Sequence, residues 1–174
     1  MSSIPTIIEV SIQNCQTGRL DAFSVIYEHF IEKMYRFVFH KTMDDTITED
    51  IVSDVFFKAL KHIETFSGRT EQELSSWLYR IAYNSVIDHY RTQKEHTDLE
   101  VIEETHGTSP EYAENLDNAM TLEGVLGYLD TLPKEQKDII IMRVWDDLSY
   151  KEIAEITGKS VDACKKTVSR VMAQ

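Results

Sequence analysis

Proline and glycine are scarce, three and six residues in a chain of 174. That is too few for a protein that turns back on itself every dozen residues, so a sandwich or barrel of short strands is excluded and helices are favoured. Cysteine is scarcer still. Cys15 and Cys164 stand near opposite ends without metal-ligand spacing, so there is no disulfide framework and both read as small buried thiols. No run approaches the roughly 18 apolar residues of a membrane span, and the first twenty residues lack a basic segment followed by an apolar one. The expectation is a cytoplasmic protein with no membrane insertion. The six histidines are scattered without HExxH or paired-cysteine spacing and no glycine-rich phosphate loop occurs, so no catalytic residue, metal site or cofactor is expected.

What is present is apolar material, 42% of the residues with 10% aromatic, enough to close one ordinary core or two small ones. Basic charge is in deficit: 18 Lys and Arg against 30 Asp and Glu give −12. Taken alone this argues against unaided nucleic-acid binding, which needs clustered cations. The deficit is uneven. Residues 1–91 hold 9 basic and 13 acidic side chains, residues 92–118 hold 1 and 8, and residues 119–174 hold 8 and 9.

Periodicity outlines the first half. A short helix is predicted over Ile7 to Gln16, closed by Gly18, where a left-handed residue ends helices well. From Asp21, the residues Phe23, Ile26, Tyr27, Phe30, Ile31, Met34, Phe37 and Val38 follow the spacing of one helical face over four turns. A third stripe, Ile51, Val52, Val55, Phe56, Ala59 and Leu60, begins after Thr46 and Glu49, which have capping-box spacing. A fourth runs from Leu74 through Trp77, Leu78, Ile81 and Ser85 and fades beyond Arg91. The acidic stretch that follows reads as a linker, either a solvated tether or a segment lying in a positively charged channel of a partner.

In the second half, Leu122, Val125, Leu126 and Leu129 share a face, and Pro133 suits the first turn of a helix over Lys134 to Trp145. Ile139 to Met142 imply burial on most sides. Ser149 and Glu152 have capping-box spacing, Thr157-Gly158-Lys159 is a turn, and Ser160 caps another helix. This helix, tight turn, helix pattern suits a second helix laid in a DNA major groove, with Lys165, Lys166 and Arg170 outward. An ordinary α-hairpin has the same local grammar.

Two stretches carry a resemblance. EDIVSDVFFKAL (Glu49 to Leu60) with WLYRIAYNSVIDHYR (Trp77 to Arg91) resembles region 2 of sigma-70-type transcription initiation factors, and LPKEQKDIIIMRVWDDLSYKEIAEITGKS (Leu132 to Ser160) resembles their region 4. With only an acidic linker between them, the chain is similar to the extracytoplasmic-function group of sigma factors. The resemblance implies an all-α protein of two small helical domains: region 2 over 1–94, an acidic flexible linker over 95–118, and a region 4 helix-turn-helix over 119–174. It implies a non-enzymatic subunit that binds bacterial RNA polymerase core enzyme, directs it to promoter DNA and assists promoter opening. The family often has an anti-sigma factor as a further partner.

Carried over by position, the resemblance places core polymerase binding on Asp50, Asp54 and Phe57, with Ser53 where glutamine is common. Such an acidic face is also what a plain amphipathic core helix shows to solvent. The downstream promoter element falls to Phe66 and Asn84, an aromatic and an amide suited to an extruded base, with Arg80 and Arg91 on phosphates. Tyr83 replaces a residue that is often basic, and Phe66 and Trp77 also fit as core aromatics. The upstream element falls to Ser160, Lys165, Lys166 and Arg170, with Thr167 where arginine is frequent. The competing reading is a stand-alone helix-turn-helix regulator whose N-terminal helices sense a ligand or dimerise.

Overall fold

The structure is a computed structural model that describes residues 4–97, 127–129 and 131–173. The expected linker, apart from its first residues, and the face formed by Leu122, Val125 and Leu126 lie outside them. The described elements are helical, and none is long and apolar enough to cross a membrane.

Helix α1 (Ile7–Gln16) starts in a capping box: the Thr6 hydroxyl accepts from Glu9 N, and Glu9 Oε2 accepts from Thr6 N at 2.9 Å. It buries Ile8, Ser11, Ile12 and Cys15, one stripe at helical spacing. Gly18 ends it at φ +86°, its N–H bonded to the Cys15 carbonyl. A 3-10 turn, Leu20–Ala22, leads into α2 (Phe23–Thr42), which buries Phe23, Ile26, Phe30, Met34, Phe37 and Val38. The predicted face of α2 is the observed one except at its edges, where Tyr27 is exposed and Ile31 half-buried.

Helix α3 (Asp45–His62) begins earlier than its spacing predicts. Its cap is Asp44, whose Oδ1 accepts from Ile47 N at 2.8 Å. The Thr46 and Glu49 box does not serve as the start, because a carboxylate two residues upstream already meets the free N–H groups. A 3-10 turn, Ile63–Thr65, and a loop over 66–70 lead to α4 (Glu71–Thr97). Helix α4 continues beyond Arg91, so the first residues of the expected linker are helical.

Pro133 stands at the N-cap of α5 (Lys134–Val144) rather than inside its first turn, and its carbonyl accepts from Gln136 N and Lys137 N. The isoleucine run is buried on several sides for a reason the sequence hints at. Ile140 packs with Leu129 and Val171, while Ile139, Ile141 and Met142 join the main core. Helix α6 (Tyr150–Thr157) has the predicted capping box at Ser149 and Glu152, Gly158 turns at φ +71°, and Ser160 caps α7 (Val161–Met172) through Ala163 N. Cys15 and Cys164 are both buried, free thiols raised first by desolvation.

Helices α1 to α4 form one bundle and α5 to α7 a smaller one, and the two pack together through α4 and α6. The joint is polar as well as apolar. Lys41 Nζ lies 2.5 Å from Asp138 Oδ1, with both side chains under 10% exposed. Desolvation pulls the Lys41 ammonium below its ordinary range, with Asp138 opposing. That ammonium also sits over the rings of Phe37 and Tyr83. Nearby, Asp146 is buried 3.5 Å from Arg36 Nη2, and its carboxylate faces the Tyr79 hydroxyl without closing a hydrogen bond of ordinary geometry. Burial raises both groups.

Candidate nucleic-acid interface

The loop over 66–70 is built from both sides. Gln16 at the end of α1 donates its side-chain amide to the Phe66 carbonyl at 2.6 Å and to the Gly68 carbonyl at 2.8 Å. From the other side, Glu73 Oε2 accepts from Arg69 N, Thr70 N and the Thr70 hydroxyl. These donors hold the Glu73 carboxyl below its usual range. Glycine at 68 leaves room for the Phe66 ring: a β-carbon there would stand 2.3 Å from Phe66 Cζ and push the ring aside. The Phe66 ring therefore closes over Gly68 and stacks on Trp77, with centroids 4.8 Å apart and planes at 22°.

This aromatic pair forms one end of a cleft of about 670 Å³. Phe66, Gly68, Trp77 and Arg80 line one wall, and Glu152 and Glu155 of α6 line the facing one. Glu152 accepts from Ser76 Oγ at 2.6 Å while also capping its own helix. Against the desolvation that opposes it, the hydroxyls of Ser149 and Ser76 and the Ser149 N–H keep this carboxyl below its ordinary range.

Phe66 and Arg80 thus meet in one cleft. Asn84 is exposed one helical turn further along α4 and is not part of its lining. Arg80, Asn84 and Arg91 follow each other at spacings of four and seven, one exposed strip of the helix. Arg91 carries a weak partner, Asp88, at 3.4 Å. Trp77 is half-buried and packs on the core as well as on Phe66. Tyr83, where a basic residue was a common alternative, is half-buried beneath the Lys41 ammonium, so it serves the joint between the bundles.

On α3, Asp50 and Phe57 are exposed, Phe57 by 67%. Asp54 shares their face but is engaged: Lys58 Nζ lies 2.6 Å away and Ser85 donates to it at 3.1 Å. Its charge is largely answered within the chain, which sets it apart from Asp50.

On α7, Lys165, Lys166 and Arg170 are exposed, while Cys164 and Val171 point inward. The Ser160 oxygen is occupied as the cap, with Ala163 N at 3.1 Å. Gln16 carries no sequence motif, since what it recognises is backbone that only the folded loop presents, whereas Thr70 and Glu73 have capping-box spacing and close that box at the start of α4.

Residues 26–96 match the family described as Sigma-70 region 2, and residues 122–174 match Sigma-70, region 4. The chain is 34% identical over 161 residues to the RNA polymerase sigma factor SigV of Bacillus subtilis, covering 90% of each. It is 30% identical over 160 residues to the ECF RNA polymerase sigma factor BldN of Streptomyces coelicolor, covering 88% of this chain and 59% of that one. Its fold is similar to that of the sigma factor RpoE in complex with the anti-sigma factor NepR from Bartonella quintana, at a TM-score of 0.68 and 23% identity over 87% of this chain and 92% of the other.

Proposed function

The chain belongs to the extracytoplasmic-function group of sigma-70 factors, and on that premise we propose how its surfaces divide the work of an RNA polymerase sigma factor. Residues 1–94 engage core enzyme and the downstream promoter element, residues 95–118 connect, and residues 119–174 engage the upstream element. Polymerase supplies most of the phosphate attraction, which lets a chain of net charge −12 work on DNA. The sigma subunit supplies the contacts that specify sequence. It carries out no catalytic step of its own, and its place of action is the cytoplasm.

The observation that carries this reading is the pairing, in one chain, of two DNA-suited surfaces. One is a capped helix-turn-helix with Lys165, Lys166 and Arg170 exposed; the other is an aromatic loop at the head of a strip holding Arg80, Asn84 and Arg91. A base extruded from the duplex costs a few kcal/mol to unstack. The Phe66 and Trp77 pair and the Asn84 amide supply stacking and hydrogen bonds that recover it. Asp50 and Phe57 lead the contact with core enzyme, and Asp54 follows once Lys58 turns away.

The acidic wall of α6 faces the same cleft that is to receive DNA. Promoter engagement therefore parts the two bundles, and an anti-sigma factor that holds them together keeps the protein silent. A mobility-shift experiment on promoter-sized duplexes tests the reading. The chain alone should leave the duplex unshifted at physiological salt, and the chain with core enzyme should shift it in a sequence-dependent way. A sequence-specific shift by the chain alone would favour the stand-alone regulator.

A further inference from the structure

The base-reading loop is not held by its flanking helices α3 and α4 alone. Its two inward carbonyls, Phe66 O and Gly68 O, both accept from one side chain fifty residues away, the Gln16 amide at the end of α1. Gln16 is half-buried, and its neighbour Cys15 is anchored in the core. Helix α1 also packs on the 3-10 turn Ile63–Thr65 that feeds the loop. The amide thus transmits the position of a rigid helix to the segment that carries Phe66. Glu73 braces the amides of Arg69 and Thr70 but touches neither of those carbonyls. Without Gln16, Phe66 O and Gly68 O lose their donor, and the Phe66–Ser67 and Gly68–Arg69 peptide planes lose the contact that orients them.

We propose that Gln16 is a positioning residue for downstream promoter recognition: it fixes the loop so that Phe66 stands on Trp77 with its pocket preformed, and it thereby sets base preference at the downstream element. This rests on the role proposed above for the Phe66 loop. The chemistry required at position 16 is a two-fold hydrogen-bond donor of about this length. Glutamate has the length but turns a carboxylate towards two carbonyl oxygens. Lysine keeps the donors, because an ammonium offers three.

Holoenzymes assembled with wild type, Gln16→Glu, Gln16→Lys and Asn84→Ala separate these roles. The readout is the ratio of transcripts from two templates that differ only at the downstream-element base, with core affinity and melting temperature measured in parallel. Gln16→Glu should lower that ratio at least about fivefold, the factor that matches one ordinary hydrogen bond of about 1 kcal/mol. Core affinity should not change. Gln16→Lys should keep the ratio within about twofold of wild type, since its donors reach the same oxygens. A wild-type ratio in Gln16→Glu, with Asn84→Ala impaired, would overturn the role of Gln16 and leave the pocket standing. Equal loss in the Glu and Lys variants would also overturn it, reducing Gln16 to a space-filler. An unchanged ratio in Asn84→Ala together with Gln16→Glu would remove the pocket and this inference with it.

Discussion

Asn84 has the cleanest single-residue prediction, because it is exposed and its loss leaves the bundle intact. Asn84→Ala should slow promoter opening, read as 2-aminopurine fluorescence across the downstream element, by the equivalent of about 1–3 kcal/mol. A template already mismatched at that base pair should rescue it more than it helps wild type. Equal opening on matched templates would detach Asn84 from base capture. Phe66 is legible from sequence only as an aromatic with two possible roles; the structure shows it closed over Gly68 and stacked on Trp77, so it belongs to the wall of the cleft. Glu73 gives a pH prediction. Its carboxyl is held below the ordinary range by donors of Arg69 and Thr70. The bracing is therefore complete above the usual glutamate range and is lost as pH falls through the lowered value. Amide exchange at Arg69 and Thr70, corrected for intrinsic rate, should accelerate on acidification in wild type, while Glu73→Gln should show no such transition. A flat profile in both would mean that Glu73 does not hold the loop.

At the scale of elements, helix faces were the most readable feature. Buried stripes such as Ile26, Phe30, Met34 and Phe37 follow from spacing alone, since one face must leave water. Starts were less secure. Thr46 and Glu49 have the right spacing for a cap, yet Asp44 takes the role because the chain leaves α2 at Met43 in a left-handed conformation and presents Asp44 first. The α6 to α7 unit was legible in detail, because capping boxes and a glycine at positive φ are local chemistry that tertiary packing did not override. Its exposed lysines carry a prediction of their own. Lys165→Ala and Lys166→Ala should each weaken transcription from promoters that depend on an upstream element. Loss confined to particular base pairs identifies direct readout, and uniform loss with a flatter salt dependence identifies phosphate anchoring. No effect from either would place the recognition face elsewhere on α7.

At the scale of the molecule, the joint between the bundles was the least legible part. Lys41, Asp138, Asp146 and Tyr79 look like surface residues or ordinary core in sequence, and only their convergence across the fold turns them into a buried polar seam, with the half-exposed Arg36 at its edge. The burial of Ile139 to Met142 was readable, but not which bundle covered them. Breaking one side of the seam should matter more than deleting both. Lys41→Met leaves Asp138 charged, buried and unpaired, a loss of about 3–5 kcal/mol. Pairing it with Asp138→Leu should restore much of the melting temperature and the compact scattering profile. Single and double variants that behave alike would mean the pair is not coupled.

The central claim is that this chain confers promoter choice on RNA polymerase, and start-site mapping by in vitro transcription from a genomic library tests it most directly. Purified core enzyme alone should initiate without defined starts. Addition of the chain should produce a discrete set of new starts that share upstream and downstream sequence elements. An unchanged distribution of starts, with the chain bound to core enzyme, would contradict the account.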